Sequence, residues 1–176
     1  MSYRSPFGAV GSGDHNGPDA LCLSRTHCAD AIGDTLNEFH VAARATIERR
    51  APQPAFFLAR QLAELGLKAL HGVSCPRTHS LTELLDRLGH RGDDLLGGGT
   101  EQDLVVAFIR DLDACDAAGD QGRYPTTRDG VPSLAMVCCA DPALLREHVD
   151  RLYGYVQRRL ADHFADGAAP LTSSPG

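Results

Sequence analysis

Apolar residues recur at intervals of three and four in five stretches of the chain. That spacing is the period of an amphipathic α-helix and not of a strand. In the central stretch Leu58, Leu62, Leu65 and Ala69 form one ridge, widened by Phe56, Ala63, Leu67 and Leu70. Arg60, Gln61, Glu64 and Lys68 fall on the other side. They predict a solvated face with an i,i+4 Glu64–Lys68 pair worth roughly 0.3–0.5 kcal/mol. A break follows, and Ser80 opens a second helix as its N-cap, with Glu83 as capping-box partner and Leu81, Leu84, Leu85 and Leu88 as its stripe.

The same pattern places three more helices. Ile32, Leu36, Phe39, Ala43 and Ile47 mark the first, and Pro52 and Pro54 mark the break after it. Leu104, Phe108 and Leu112, with Val105 and Ile109 beside them, mark the fourth, for which Thr100 is the predicted cap. Asp141 and Pro142 open the last, whose stripe is Leu145, Val149, Leu152, Val156 and Leu160. The predicted spans are Ala29–Arg49, Ala55–Leu70, Leu81–Leu88, Glu101–Ala117 and Ala143–His163. Residues 118–140 are irregular, and Asp129-Gly130 is a turn signal that could join two short strands. The fold class expected is all-α, an antiparallel bundle of about five helices. Its domain is expected over 27–165, with a Gly-rich flexible arm over 1–26 and a frayed tail over 166–176.

The order of three short motifs gives the chain a resemblance. Gln61, Glu64 and Lys68-Ala69-Leu70 are followed by Pro76-Arg77-Thr78-His79-Ser80-Leu81, then by Leu84-Leu85 and Leu88, and later by Arg123-Tyr124-Pro125. This resembles the HEPN superfamily, the small α-helical domains named from higher eukaryotes and prokaryotic nucleotide-binding proteins. The resemblance implies a helical module that binds a nucleotide, an RNA or a protein partner. It further implies a homodimer and a place in bacterial defence or toxin–antitoxin systems, including pairing with a nucleotidyltransferase. An alternative is a metal-independent endoribonuclease; another is a structural dimerisation domain.

Catalytic members carry an Arg, four to six residues, and a His. Arg158 and His163 are the match here, the Arg to stabilise phosphate charge and the His to act as general base. Five residues apart on an unbroken helix they point about 140° apart, which argues against joint action. Arg60, Gln61, Glu64 and Lys68 are candidates for a nucleotide-binding groove. Arg77 and His79 are candidates for a phosphate at the second helix's N-terminus. Arg123 and Tyr124, with Arg128 and Asp129, form a surface-contact set, since Arg and Tyr dominate binding hot spots.

Composition narrows the function classes. Lys and Arg number 17 against 23 Asp and Glu, a formal charge of −6, which argues against broad nucleic-acid binding through phosphate neutralisation. The Gly8–Gly13 cluster follows no strand and is not a dinucleotide loop. Asp111, Asp113, Asp116 and Asp120 lack the Gly that a calcium loop requires at its sixth position. Cys22, His27 and Cys28 have no second ligand pair, so neither metal nor cofactor is expected. Without an apolar run of membrane length or a signal peptide, a cytoplasmic protein with reduced thiols is expected.

Overall fold

A computed structural model describes residues 30–72, 76–90, 99–119, 121–126, 129–135, 137 and 139–167. The chain divides into two units, Met1–Ala31 and Ile32–Gly176, and the helical core belongs to the second. The fold is all-α. Its helices are α1 (Asp30–Glu48), α2 (Pro52–His71), α3 (Leu81–His90), α4 (Thr100–Cys115) and α5 (Pro142–Gly167), with a 3-10 turn at Gln121–Arg123. Among the described residues the strands suggested around Asp129-Gly130 shrink to one isolated bridge between Thr126 and Pro132. The arm, the tail beyond Gly167, and Cys22, His27, Cys28, Asp120 and Arg128 lie outside the described residues.

The prolines read as a break before α2 are instead its first turn. The first N–H groups of a helix have no intrahelical partner, so Pro52 and Pro54 lose no hydrogen bond there. Helix α1 closes just before them in a Schellman motif. The Ala51 N–H donates to the Thr46 carbonyl at 2.9 Å and the Arg50 N–H to that of Ile47 at 3.0 Å, with Arg50 itself at φ 54. Thr100 is the first residue of α4 and not its cap; Gly99 holds that position, with no side-chain bond to the helix. Asp141 does cap α5: its Oδ1 accepts the N–H groups of Ala143 at 2.8 Å and Leu144 at 3.1 Å.

Helix α2 is the centre of the packing, in contact with α3, α4, α5 and the 3-10 turn. Its burial therefore extends past the ridge that spacing predicts. Ala55, Ala59, Leu62, Ala63, Gly66, Leu67 and Leu70 are buried, whereas Phe56, Leu58, Leu65 and Ala69 are only partly so. Gly66 is a close approach, since a Cβ there would sit 3.0 Å from a Val156 methyl of α5. The stripe of α3 holds, and so does that of α5 apart from the partly buried Leu145 and with Tyr155 added, while Ile32 and Leu104 drop out to the surface. Helix α1 runs antiparallel to α5, fastened by His40 Nε2 to Asp150 Oδ1 at 2.7 Å and by His40 stacked on Tyr153 at 4.1 Å.

Candidate functional site

The four polar residues of α2 do not share a solvated face. Arg60 is 0% exposed and Glu64 is buried with it. Helical spacing accounts for this: Arg60, Ala63 and Leu67 lie at i, i+3 and i+7, so the arginine shares an arc with two core residues. Each of the three guanidinium nitrogens has an acceptor. Nε donates to the Asp116 carbonyl at 2.8 Å, Nη1 to Glu64 Oε2 at 3.1 Å, and Nη2 to the His79 carbonyl at 2.7 Å. The Asp116 carboxylate lies 3.7 Å from Nε. One buried cation thus joins α2, the 76–80 turn and the segment after α4.

Glu64 is the hinge of the charge network. Its Oε1 accepts from Lys68 Nζ at 2.6 Å and from His79 Nδ1 at 2.9 Å, so the imidazole carries its proton on Nδ1. Burial pushes the Glu64 carboxyl up, but bonds to Lys68 and His79 outweigh it and leave the group below the usual carboxylate range. Only the outer members reach water: the Lys68 side chain is 28% exposed and that of His79 64%. The close approach of Gly119 makes room for the guanidinium. At φ 75, a Cβ on it would meet Arg60 Nη1 at 2.7 Å.

The first N–H groups of α3, offered by the sequence to a ligand phosphate, already have an acceptor. Asp113 of α4 is that acceptor, with Oδ1 accepting from Leu81 N–H at 2.8 Å and Oδ2 from Thr82 N–H at 3.3 Å. Ser80 Oγ accepts from Glu83 N–H at 3.1 Å, the predicted half of the capping box. The other half is rerouted, because Ser80 N–H bonds Thr78 Oγ1, whose hydroxyl donates to Glu83 at 2.7 Å. A phosphate beside Asp113 would meet like charge and occupied donors. Asp113 and Asp116, set aside at the sequence level as a failed calcium loop, are therefore the two acids that position this region. The signal was present: Asp113 follows Val105 and Ile109 at i+8 and i+4, on the buried stripe of α4.

The remaining candidates are dispersed. Gln61 is half-buried, and its Nε2 is sealed without a partner among the described residues. Arg77 is exposed. Arg158 Nη2 bonds Glu101 Oε1 at 2.5 Å across to α4. His163 lies on the same unbroken α5, and its side chain is outside the described residues. Arg123 and Tyr124 stay together on the surface: Tyr124 is 62% exposed, and the Arg123 guanidinium carbon sits 5.6 Å from the centre of the Phe57 ring. Phe57, unnoticed in the sequence because it lies off the main ridge, is what steadies that arginine. The segment is pinned from behind by Leu134 N–H to Gln121 Oε1 at 3.1 Å and Ser133 N–H to the Pro125 carbonyl at 3.0 Å. Among the described residues no three His, Cys, Asp or Glu side chains gather as a metal site. No helix there is long and apolar enough to cross a membrane.

The described residues form an all-α bundle of five helices with a buried Arg60–Glu64 pair at its centre. The family model for the HEPN domain matches residues 37–158, well over half of the chain, and the chain belongs to that family. No curated protein and no solved structure matches it.

Proposed function

We propose that this chain is a non-cleaving HEPN module that binds a nucleotide or a short single-stranded RNA through the segment between α4 and α5. Family membership supports a nucleotide- or RNA-related role. The observation that carries the reading is the exposed Tyr124 beside Arg123, itself held against Phe57. An accessible aromatic ring offers a stacking face for a base, worth about 1–3 kcal/mol, and the guanidinium offers charge for the adjoining phosphate. Arg60 and Glu64 of α2 do not compete for this role, because they are spent on each other and on partners inside the fold. Cleavage is disfavoured by the Arg158–Glu101 pair and by the angle of about 140° between positions 158 and 163 on one continuous helix.

Fluorescence anisotropy with labelled oligoribonucleotides, alongside thermal shift with mononucleotides, separates the two ligand sizes. Tyr124→Ala is expected to weaken binding about tenfold without lowering the melting temperature of the free protein, since the ring covers no core. RNA is expected to remain intact in EDTA. Equal binding by wild type and Tyr124→Ala would remove the proposed site. Cleavage lost in both Arg158→Ala and His163→Ala would replace binding with catalysis.

A further inference from the structure

The ring of His79 offers chemistry that the Tyr124 segment does not, and it stands apart from that binding role. The His79 backbone carbonyl accepts from buried Arg60 at 2.7 Å, so the turn is held there without help from the ring. The ring gives Nδ1–H to Glu64 Oε1 at 2.9 Å and is 64% exposed, and among the described residues Nε2 has no partner. With the proton fixed on Nδ1, Nε2 carries the free lone pair. The other described histidine side chains are arranged differently. His40 and His71 spend Nε2 on Asp150 and on the Leu84 carbonyl, and His148 faces an arginine, not an acid, at Nδ1. Glu64 is kept from swinging away from His79, because Arg60 holds its Oε2 at 3.1 Å and Lys68 its Oε1 at 2.6 Å. An imidazole backed by a fixed carboxylate and open at its far nitrogen is an activated nucleophile.

A metal ion would find one nitrogen there and, among the described residues, no gathered set of ligands. An acyl group would need N–H donors for its oxyanion, and the first N–H groups of α3 are taken by Asp113 and Ser80. A phosphoryl group needs positive charge instead, and the part-exposed Lys68 ammonium stands on the same Glu64 oxygen as His79. We propose that His79 accepts a phosphoryl group at Nε2 from a small acyl phosphate. The Nε2 lone pair attacks phosphorus, and the N–P bond forms as the P–O bond to the acyl group breaks. A carboxylate leaves with that electron pair, and no proton needs to move. The ring gains positive charge in the step, and the Glu64 carboxylate at Nδ1–H stabilises it.

Incubation of the full chain with acetyl phosphate, read by site-resolved mass spectrometry and phosphorus NMR, tests the proposal. The expected product is phosphohistidine at His79, on Nε2 and not on Nδ1, stable in base and lost in acid. A synthetic peptide of residues 76–84 carries the same histidine without Glu64. His79 in the folded chain is expected to be labelled about tenfold faster than in that peptide, the usual effect of one charge-assisted hydrogen bond. Glu64→Gln should remove this advantage, since an amide keeps the oxygen but not the charge. The peptide comparison decides the matter even if that variant is too unstable to assay. The proposal is overturned if His79 is labelled no faster than the peptide, if the phosphoryl group is found on Nδ1, or if Glu64→Gln is labelled at the wild-type rate. Acetylation of Lys68 with His79 unmodified would overturn it too.

Discussion

Replacing Arg60 by Ala would leave Glu64 short of a partner, strip the Arg60 donor from the His79 carbonyl, and leave the Asp116 carbonyl only the Gly119 N–H. Truncating one side of a buried ion pair typically costs about 3–5 kcal/mol, so Arg60→Ala is expected to lose that much in urea denaturation. Arg60→Lys should not restore it, because an ammonium cannot span three acceptors set in a fork. Glu64 carries a separate prediction. Its carboxyl is held below the usual range in the folded chain, so as pH falls the unfolded chain takes up the proton first. The stabilisation is complete above about pH 4.3, the ordinary glutamate value, and drains away as pH drops through the lower folded value. Urea midpoints measured from pH 7 to pH 3 should fall more steeply for wild type than for Glu64→Gln, which starts lower and changes less.

Helices α3 and α5 were legible because each packs with one stripe, and one stripe is what a three–four spacing encodes. Helix α2 was legible as a helix but not in its burial. An element enclosed by α3, α4, α5 and the 3-10 turn hides residues around most of its circumference, and spacing cannot announce that Arg60 and Glu64 will be sealed in as a matched pair. The candidate site was readable where it depended on local exposure, as at Arg123 and Tyr124. It was unreadable where it depended on contacts across 32 or 56 residues, as with Asp113 on α3 and Asp116 on Arg60. Ten residues are too few for a stable isolated helix, so α3 rests on this packing and on its cap. Asp113→Ala is expected to cost about 1–2 kcal/mol, and Asp113→Asn less, since the amide keeps one oxygen for the Leu81 N–H although it loses the acceptor of the Thr82 N–H. Chemical denaturation of the two variants checks the order.

For the molecule as a whole, the sequence suggests Val105, Val106, Tyr153 and Tyr155 as a self-complementary apolar patch for the expected homodimer, because they fall outside one stripe per helix. Val105 and Tyr155 belong to the core, while Val106 and Tyr153 are packed against it, Tyr153 also stacked on His40. Tyr155's hydroxyl is correspondingly pushed up by burial, helped by the nearby Glu101 and opposed by Arg159 and Arg158. Of that patch only the partly buried Val106 and Tyr153 retain exposed surface. The central cation has one more consequence, in the order in which the chain leaves the ribosome. Arg60 is synthesised 56 residues before the carbonyl of Asp116 that completes its shell. At about 5–20 residues per second, that interval is roughly 3–11 s. During it, α1, α2 and α3 can collapse only by burying an under-coordinated guanidinium or leaving that flank of α2 open to water. The nascent chain therefore has little to gain from closing early, and its commitment to the native bundle is deferred until the second half has been made.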